Sequence, residues 1–388
     1  MEVPAYGTKD RLYYLDWLRM LAVLGVFYAH AAWLFDLLYA WRIESMGNAY
    51  ALVVFGNQWG MALFFVLAGA SAWFSLGSRT PRQFIGERVA RLVLPFLAGV
   101  LLIAPPQAYF MDLSRSLFHG SFLQYYQQYF LQQQFSWNPQ SLVGYGFHLW
   151  FLAFLFLYSL LSLPLFLSLR RAHGQRFIAW LAAVGERRGG LFLLVLPLAL
   201  IQVTLRAAFP EYQGWADFVS WLVYFLYGYL LVAHACLQQA IRRQGLLALA
   251  VGCVSLLSIL VMMFGPDAVQ VWQNVPSYSL AYELGQLLFS ITCWSLILLA
   301  LWFGMRVLNV DKALIRYANG AIVPFYVLHY LPISVLTFLV LRWEMPMAVR
   351  FVVVTTLALL TTLLVYNLLI KRIGMLRWLF GMKSPQRS

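Results

Sequence analysis

Ten apolar stretches, each long enough to cross a hydrocarbon core, follow one another along this chain, at 17–38, 50–76, 91–111, 147–169, 190–208, 215–234, 246–264, 280–303, 319–341 and 347–370. A crossing takes about 20 predominantly apolar residues. Hydrophobic residues make up 62% of the 388 and charged residues 11%, far from the balance of a soluble domain. The expected fold is therefore all-α: a polytopic membrane bundle of about ten helices forming a single membrane domain over 1–388. No separate soluble domain and no internal repeat of fixed period is evident.

The net charge of +13 raises the question of nucleic acid, and its distribution answers it. With the N-terminus placed in the cytoplasm and ten alternating spans, only Arg42, Arg115, Arg206, Arg342 and Arg350 fall on the outer side. The other 22 of the 27 Lys and Arg fall in inner loops or at inner helix ends. This is the positive-inside pattern, and it places both termini in the cytoplasm. The basic excess is a topology signal, and no nucleic-acid partner is expected. The first apolar segment is too long, and too polar at Arg19 and His30, for the core of a cleavable signal peptide. Cys236, Cys253 and Cys293 all sit in expected spans without ligand spacing and read as small core residues.

Ionisable groups at membrane depth are costly and usually carry a task. Arg19 and His30 are eleven residues apart in the first span, close to three full helical turns, so they share one face roughly 16 Å apart along the axis. Arg19 at the inner boundary has bland explanations, in snorkelling to headgroups or pairing with Asp16. His30, past the bilayer middle, needs a polar cavity or a hydrogen-bond partner. At the inner mouth of the third span stand Arg88 and Arg91. On an α-helix residues i and i+3 lie on one face, so both guanidiniums can address one phosphate, although ordinary positive-inside anchoring also explains them.

Three further groups carry polar side chains into apolar surroundings. His148 and Trp150 open the fourth span in Phe147-His148-Leu149-Trp150-Phe151-Leu152. Tyr326 and His329 are one turn apart in the ninth, behind Pro324, which permits a kink. An outer segment, 112–146, is rich in Gln and aromatics, including Gln124 to Tyr129 and Gln132-Gln133-Gln134. It suits either contact with a glycan or an interfacial helix that packs the outer face. No metal is expected, because the histidines lack i,i+4 partners or a carboxylate cluster at ligand spacing.

Taken together these residues resemble the acyltransferase family 3 of integral membrane O-acyltransferases. The matching features are Arg19-x10-His30, Arg88-x-x-Arg91, Phe64-Phe65-Val66-Leu67-Ala68-Gly69, His148-Leu149-Trp150-Phe151-Leu152 and Tyr326-Val327-Leu328-His329. They occur in order along the whole chain. The family's usual serine before the glycine is Ala68 here, and the soluble hydrolase-like domain of many members is absent. Within the family the layout is most similar to the glucan-biosynthesis protein C type, including the basic C-terminal run from Arg372 to Phe380.

The resemblance implies acyl-CoA as co-substrate, no permanently bound cofactor, a hydroxyl acceptor on an extracytoplasmic glycan, and a place in the inner (plasma) membrane. Arg19, Arg88 and Arg91 would hold the donor's phosphates. His30 would be catalytic, either as general base or as the group that takes the acyl chain. Trp150, His148, Tyr326 and His329 would line the acceptor side. Both acetyl and succinyl remain open as the acyl group, and the sequence gives no oligomeric state. The rival reading is a transporter or flippase for a glycan, lipid or anion, with the buried Arg and His as substrate or proton relay.

Overall fold

The computed structural model describes the backbone of residues 11–39, 48–133, 136–264 and 277–382; Arg42 and Gln134 lie outside them. In chain order the helices are α1 (Tyr13–Tyr39), α2 (Asn48–Ser78), α3 (Pro81–Arg88), α4 (Leu94–Leu102), α5 (Ala104–Ser114), α6 (Phe122–Leu131), α7 (Ser141–Gly146), α8 (Trp150–Leu169) and α9 (Ala172–Glu186). They continue with α10 (Val195–Leu205), α11 (Trp215–Ala233), α12 (Ala235–Phe264), α13 (Leu280–Val307), α14 (Ala313–Leu328), α15 (Tyr330–Val340), α16 (Met347–Val365) and α17 (Gly374–Leu379). There is no strand among the described residues.

Among the described residues seven helices are long and apolar enough to cross a membrane, or nine if each of two bent pairs counts as one span. The ten expected stretches are thus all helical where described, and three of them depart from a single long helix. The segment at 190–208 is a shorter apolar helix, Gly190–Leu205, that opens with a 3₁₀ turn after Gly189 in the left-handed region. Two other expected spans are broken. Residues 91–111 bend by 40° at Ile103 and residues 319–341 by 52° at His329. Both breaks follow from proline, which lacks an N–H and whose ring crowds the carbonyl four residues earlier. Pro105 and Pro106 act on Leu101 and Leu102, and Pro332 acts on Leu328, the last residue of α14. Pro324, the expected kink, stays inside α14.

The chain folds as two compact units. The first comprises Met1–Arg19, Gln58–Pro81 and Tyr158–Lys312; the second comprises Met20–Asn57, Arg82–Leu157 and Ala313–Ser388.

In the first unit α13 packs against α10 and α12, and α2 meets α11 backbone to backbone. A Cβ on Gly69 would collide with the carbonyl of Phe225, and one on Gly228 with the carbonyl of Val66. Small residues allow this approach where lipid offers no hydrophobic drive between helices. The aromatic half of the same motif fills the neighbouring space: Phe65, fully buried, stacks on Trp221 and meets Tyr158 edge-on. Arg170 lies in the turn that follows α8. Its guanidinium donates to the carbonyls of Leu76 and Trp73 at 2.8 and 3.1 Å, capping the last turn of α2.

In the second unit α4 packs on α14 and α5 on α15. Gly99 of α4 sits under Leu149 and Val327, and Phe110 of α5 meets Phe338 of α15 with ring centroids 5.6 Å apart. The two bent pairs thus run side by side in the same direction, break beside break. The outer segment contains α6, started by a capping box of Ser121 and Gln124 and held through the buried Tyr125 and Tyr129. Tyr125 donates to Asp112 at 2.6 Å and Tyr129 to the carbonyl of Tyr145 at 2.9 Å. Burial first, and then Asp112, push the Tyr125 hydroxyl above its ordinary range. Of the two readings of this segment, the geometry here is that of a packed helix.

Candidate active site

Three histidines from three separate stretches of the second unit meet at the break in α14 and α15. His30 comes from α1, His148 from the 3₁₀ turn that precedes α8, and His329 from the break itself. His30 and His329 stack at 5.2 Å between centroids, 9° from parallel, while His148 stands edge-on to both at 5.7 and 5.0 Å. Tyr330 covers the group, 4.8 Å from the His30 ring and 5.2 Å from that of His148. His148 and His329 are buried, and His30 is half-buried.

The hydrogen bonds fix which nitrogens carry protons. His329 Nδ1 faces the carbonyls of Tyr326 at 2.8 Å and Phe325 at 3.2 Å. A carbonyl only accepts, so Nδ1 bears the hydrogen and Nε2 of the neutral ring bears the lone pair. That lone pair lies 2.9 Å from His30 Nδ1, which therefore donates. In neutral His30 the remaining nitrogen, Nε2, is then the basic one. A backbone carbonyl thus orients one imidazole, which orients a second, and the second ends in a lone pair.

The carbonyl of Tyr326 is available because it lies in the last turn of α14, where intrahelical partners run out. It accepts a second imidazole, His148 Nε2 at 3.0 Å, and the Tyr326 hydroxyl donates back to the carbonyl of His148. This reciprocal pair clamps the start of α8 to the end of α14. Phe147, immediately before His148, sits at φ 48°, ψ −121°. Such a conformation costs a non-glycine residue about 1–3 kcal/mol and persists only where surrounding contacts hold it. His148 Nδ1 is buried with no hydrogen-bond partner among the described residues. Trp150 is also buried, and its ring packs on Phe154 and Phe151.

The arginines fall in two places. Arg19 belongs to the first unit, where it bonds Asp16 at 3.2 Å and the Ser71 hydroxyl at 2.6 Å. The pairing with Asp16 is thus real. Ser71, in the turn after Ala68, supplies a hydroxyl to this motif helix although position 68 does not. Arg88 and Arg91 belong to the second unit, and the α-helical face expected to join them is absent. Val89–Val93 form a π turn, in which the Leu94 N–H reaches back to the carbonyl of Val89. The wider turn takes residues i and i+3 off a common stripe, and such turns are frequent at functional sites. The Arg88 guanidinium lies 4.7 Å over the ring of buried Phe84, and Arg91 pairs with Glu87 at 3.4 Å. Gly381, at φ 68°, lies against Arg91 and Pro95, with α17 packed on α4.

All three histidines stand out in the sequence, but their pairing does not: His30 groups there with Arg19, and His329 with Tyr326. The available signal was Pro332, which marks the break where ring nitrogens gain access to backbone carbonyls. Among the described residues no group of three or more His, Cys, Asp or Glu is arranged to hold a metal ion.

Apolar helices of membrane-crossing length, with hydrogen-bonded imidazoles held among them in the second unit, define a polytopic membrane protein. Its residues 12–367 match the family model described as an acyltransferase domain, Acyl_transf_3, and the chain belongs to that family. No curated protein and no solved structure matches the chain.

Proposed function

We infer that this acyltransferase moves a short acyl group, acetyl or succinyl, from cytoplasmic acyl-CoA to a hydroxyl of an extracytoplasmic glycan. It does so in the inner membrane with both termini in the cytoplasm, as the positive-inside pattern suggests. One observation carries the chemistry: the His30–His329 hydrogen bond, which leaves His30 Nε2 as a base. In the reaction the acceptor oxygen attacks the thioester carbon while His30 Nε2 takes the hydroxyl proton. The new C–O bond forms, the C–S bond breaks, and the leaving thiolate takes the proton back from His30 to give free CoA. While His30 is an imidazolium, its Nδ1–H bond to His329 becomes charge-assisted and stronger.

Arg88 and Arg91 are assigned to the phosphates of the donor, with the π turn aiming the two guanidiniums separately. Arg19, in the first unit, is assigned to donor phosphate by the family resemblance, with Asp16 and Ser71 fixing its rotamer. Tyr326, His148 and His329 belong to the catalytic layer and Trp150 to its packing. A glucan acceptor and a succinyl donor follow from the similarity to the glucan-biosynthesis protein C type.

The test is thiol release by the purified protein in nanodiscs from a panel of short acyl-CoAs, with and without linear glucan oligosaccharides. Release that requires both an acceptor and His30 supports the reading, and the preferred donor identifies the acyl group. No release from any donor by folded protein overturns it.

A further inference from the structure

Gln107 is fully buried, and both its amide nitrogen and its amide oxygen are sealed from solvent with no hydrogen-bond partner among the described residues. Buried polar groups are nearly always paired, and an orphaned amide costs stability unless something absent from the protein itself satisfies it. Its position gives this meaning. The contact of Gly99 with Val327 and that of Phe110 with Phe338 share one offset, so α4 and α5 run in parallel register with α14 and α15. In that register Gln107 lies level with Val335, six residues past His329, or about 9 Å along the axis. Helical side chains lean toward the N-terminus of their own helix. On α5 that direction leads back to the break at Ile103, which lies beside the break that holds the histidines.

The neighbouring imidazoles cannot supply a free donor. The N–H groups of His30, His148 and His329 are all spent on one another or on carbonyls, which leaves only lone pairs. An acyl carbonyl that gains negative charge needs a donor, and Gln107 Nε2 holds one in reserve. We propose that Gln107 is a catalytic residue whose amide N–H donates to the carbonyl oxygen of the acyl thioester. As the acceptor oxygen adds to the carbonyl carbon, the C=O π pair moves onto that oxygen and the bond to Gln107 strengthens. When the C–S bond breaks, the pair returns and the thiolate leaves with the proton held by His30. The assignment rests on the thioester chemistry inferred above.

The experiment compares the full-length wild type with Gln107→Leu and Gln107→Met in nanodiscs, measuring acetyl-CoA thiol release and the thermal unfolding midpoint. The expected result is a kcat about 100- to 1000-fold lower, as for loss of one oxyanion donor, with KM for acetyl-CoA within about threefold. The midpoint should stay level or rise, because an apolar side chain of similar size removes an orphaned amide. The two substitutions are alternatives should one fail to fold. Unchanged kcat in a folded variant would mean that water or nothing occupies the amide, and would overturn the assignment alone. A raised KM at wild-type kcat would also overturn it, by making Gln107 a ground-state contact. Absence of release by wild type from any donor would remove this assignment together with the reading it rests on.

Discussion

Replacing His329 with phenylalanine keeps a planar ring beside Phe325, which now stacks on it at 5.7 Å, and removes the nitrogen that accepts from His30 Nδ1. Two effects follow. A neutral hydrogen bond is worth about 1 kcal/mol net and one to a charged group about 1.5–3 kcal/mol, so the His30–His329 bond gains about 0.5–2 kcal/mol when His30 is protonated. That gain exists only while the proton is on His30, so its loss appears in kcat, as about a 2- to 30-fold fall. In addition, neutral His30 is no longer held in the tautomer with Nε2 free, which lowers the competent fraction further. Together kcat should fall about 10- to 100-fold, with KM for the donor little changed. The assay is steady-state thiol release by nanodisc-embedded protein, with a thermal melt to confirm folding. His329→Gln should recover part of the loss, since its amide has an acceptor for His30 and donors for the carbonyls of Phe325 and Tyr326. A folded His329→Phe enzyme with kcat within twofold of wild type would refute the relay.

Three other predictions can be checked separately. Alanine at Arg88 or Arg91 should raise KM for acyl-CoA at least tenfold, with kcat reduced less; an unchanged donor dependence would leave these residues as topology anchors only. Gly69→Ala drives a methyl into the carbonyl of Phe225 and should cost about 1–3 kcal/mol, seen as a lower thermal midpoint in detergent. An unaltered midpoint would contradict the close approach of α2 and α11. Arg206 and Asp217 form a buried ion pair tied further to Gln202 and the Gln213 N–H, so Asp217→Ala should cost about 3–5 kcal/mol, with the double replacement by apolar residues milder. Equal losses in the single and double variants would mean that the charges are not coupled.

The helical membrane architecture was legible in the apolar stretches, because span length is dictated by bilayer thickness and backbone hydrogen bonding rather than by tertiary contacts. His30 and Arg19 were legible for the same reason, as polar groups where lipid penalises them. What the sequence concealed were departures from the ideal helix. The π turn at Val89–Val93 alters the relation of Arg88 to Arg91, and nothing in Val89-Ala90-Arg91-Leu92-Val93 announces it. In the sequence Pro324 is the residue that permits a kink, whereas it stays inside α14 and the break falls at His329, where the ring of Pro332 meets the carbonyl of Leu328. Pairing between distant segments was hidden too. His30 and His329 are 299 positions apart and meet only through the packing of α1 against α14, with Phe27 on Phe325. Gln107 reads in sequence as one polar residue after a double proline. Only its complete burial, without a partner among the described residues, makes it chemical.

The most direct test of the account is single-turnover thiol release from acetyl-CoA and succinyl-CoA in nanodiscs, with a glucan acceptor, for wild type and for His30→Ala and His30→Gln. The account predicts acceptor-dependent release by wild type and a loss of at least a thousandfold in both folded variants, with donor binding retained. Turnover by His30→Ala at the wild-type rate would contradict it, because the imidazole chain at the break would then have no part in the chemistry.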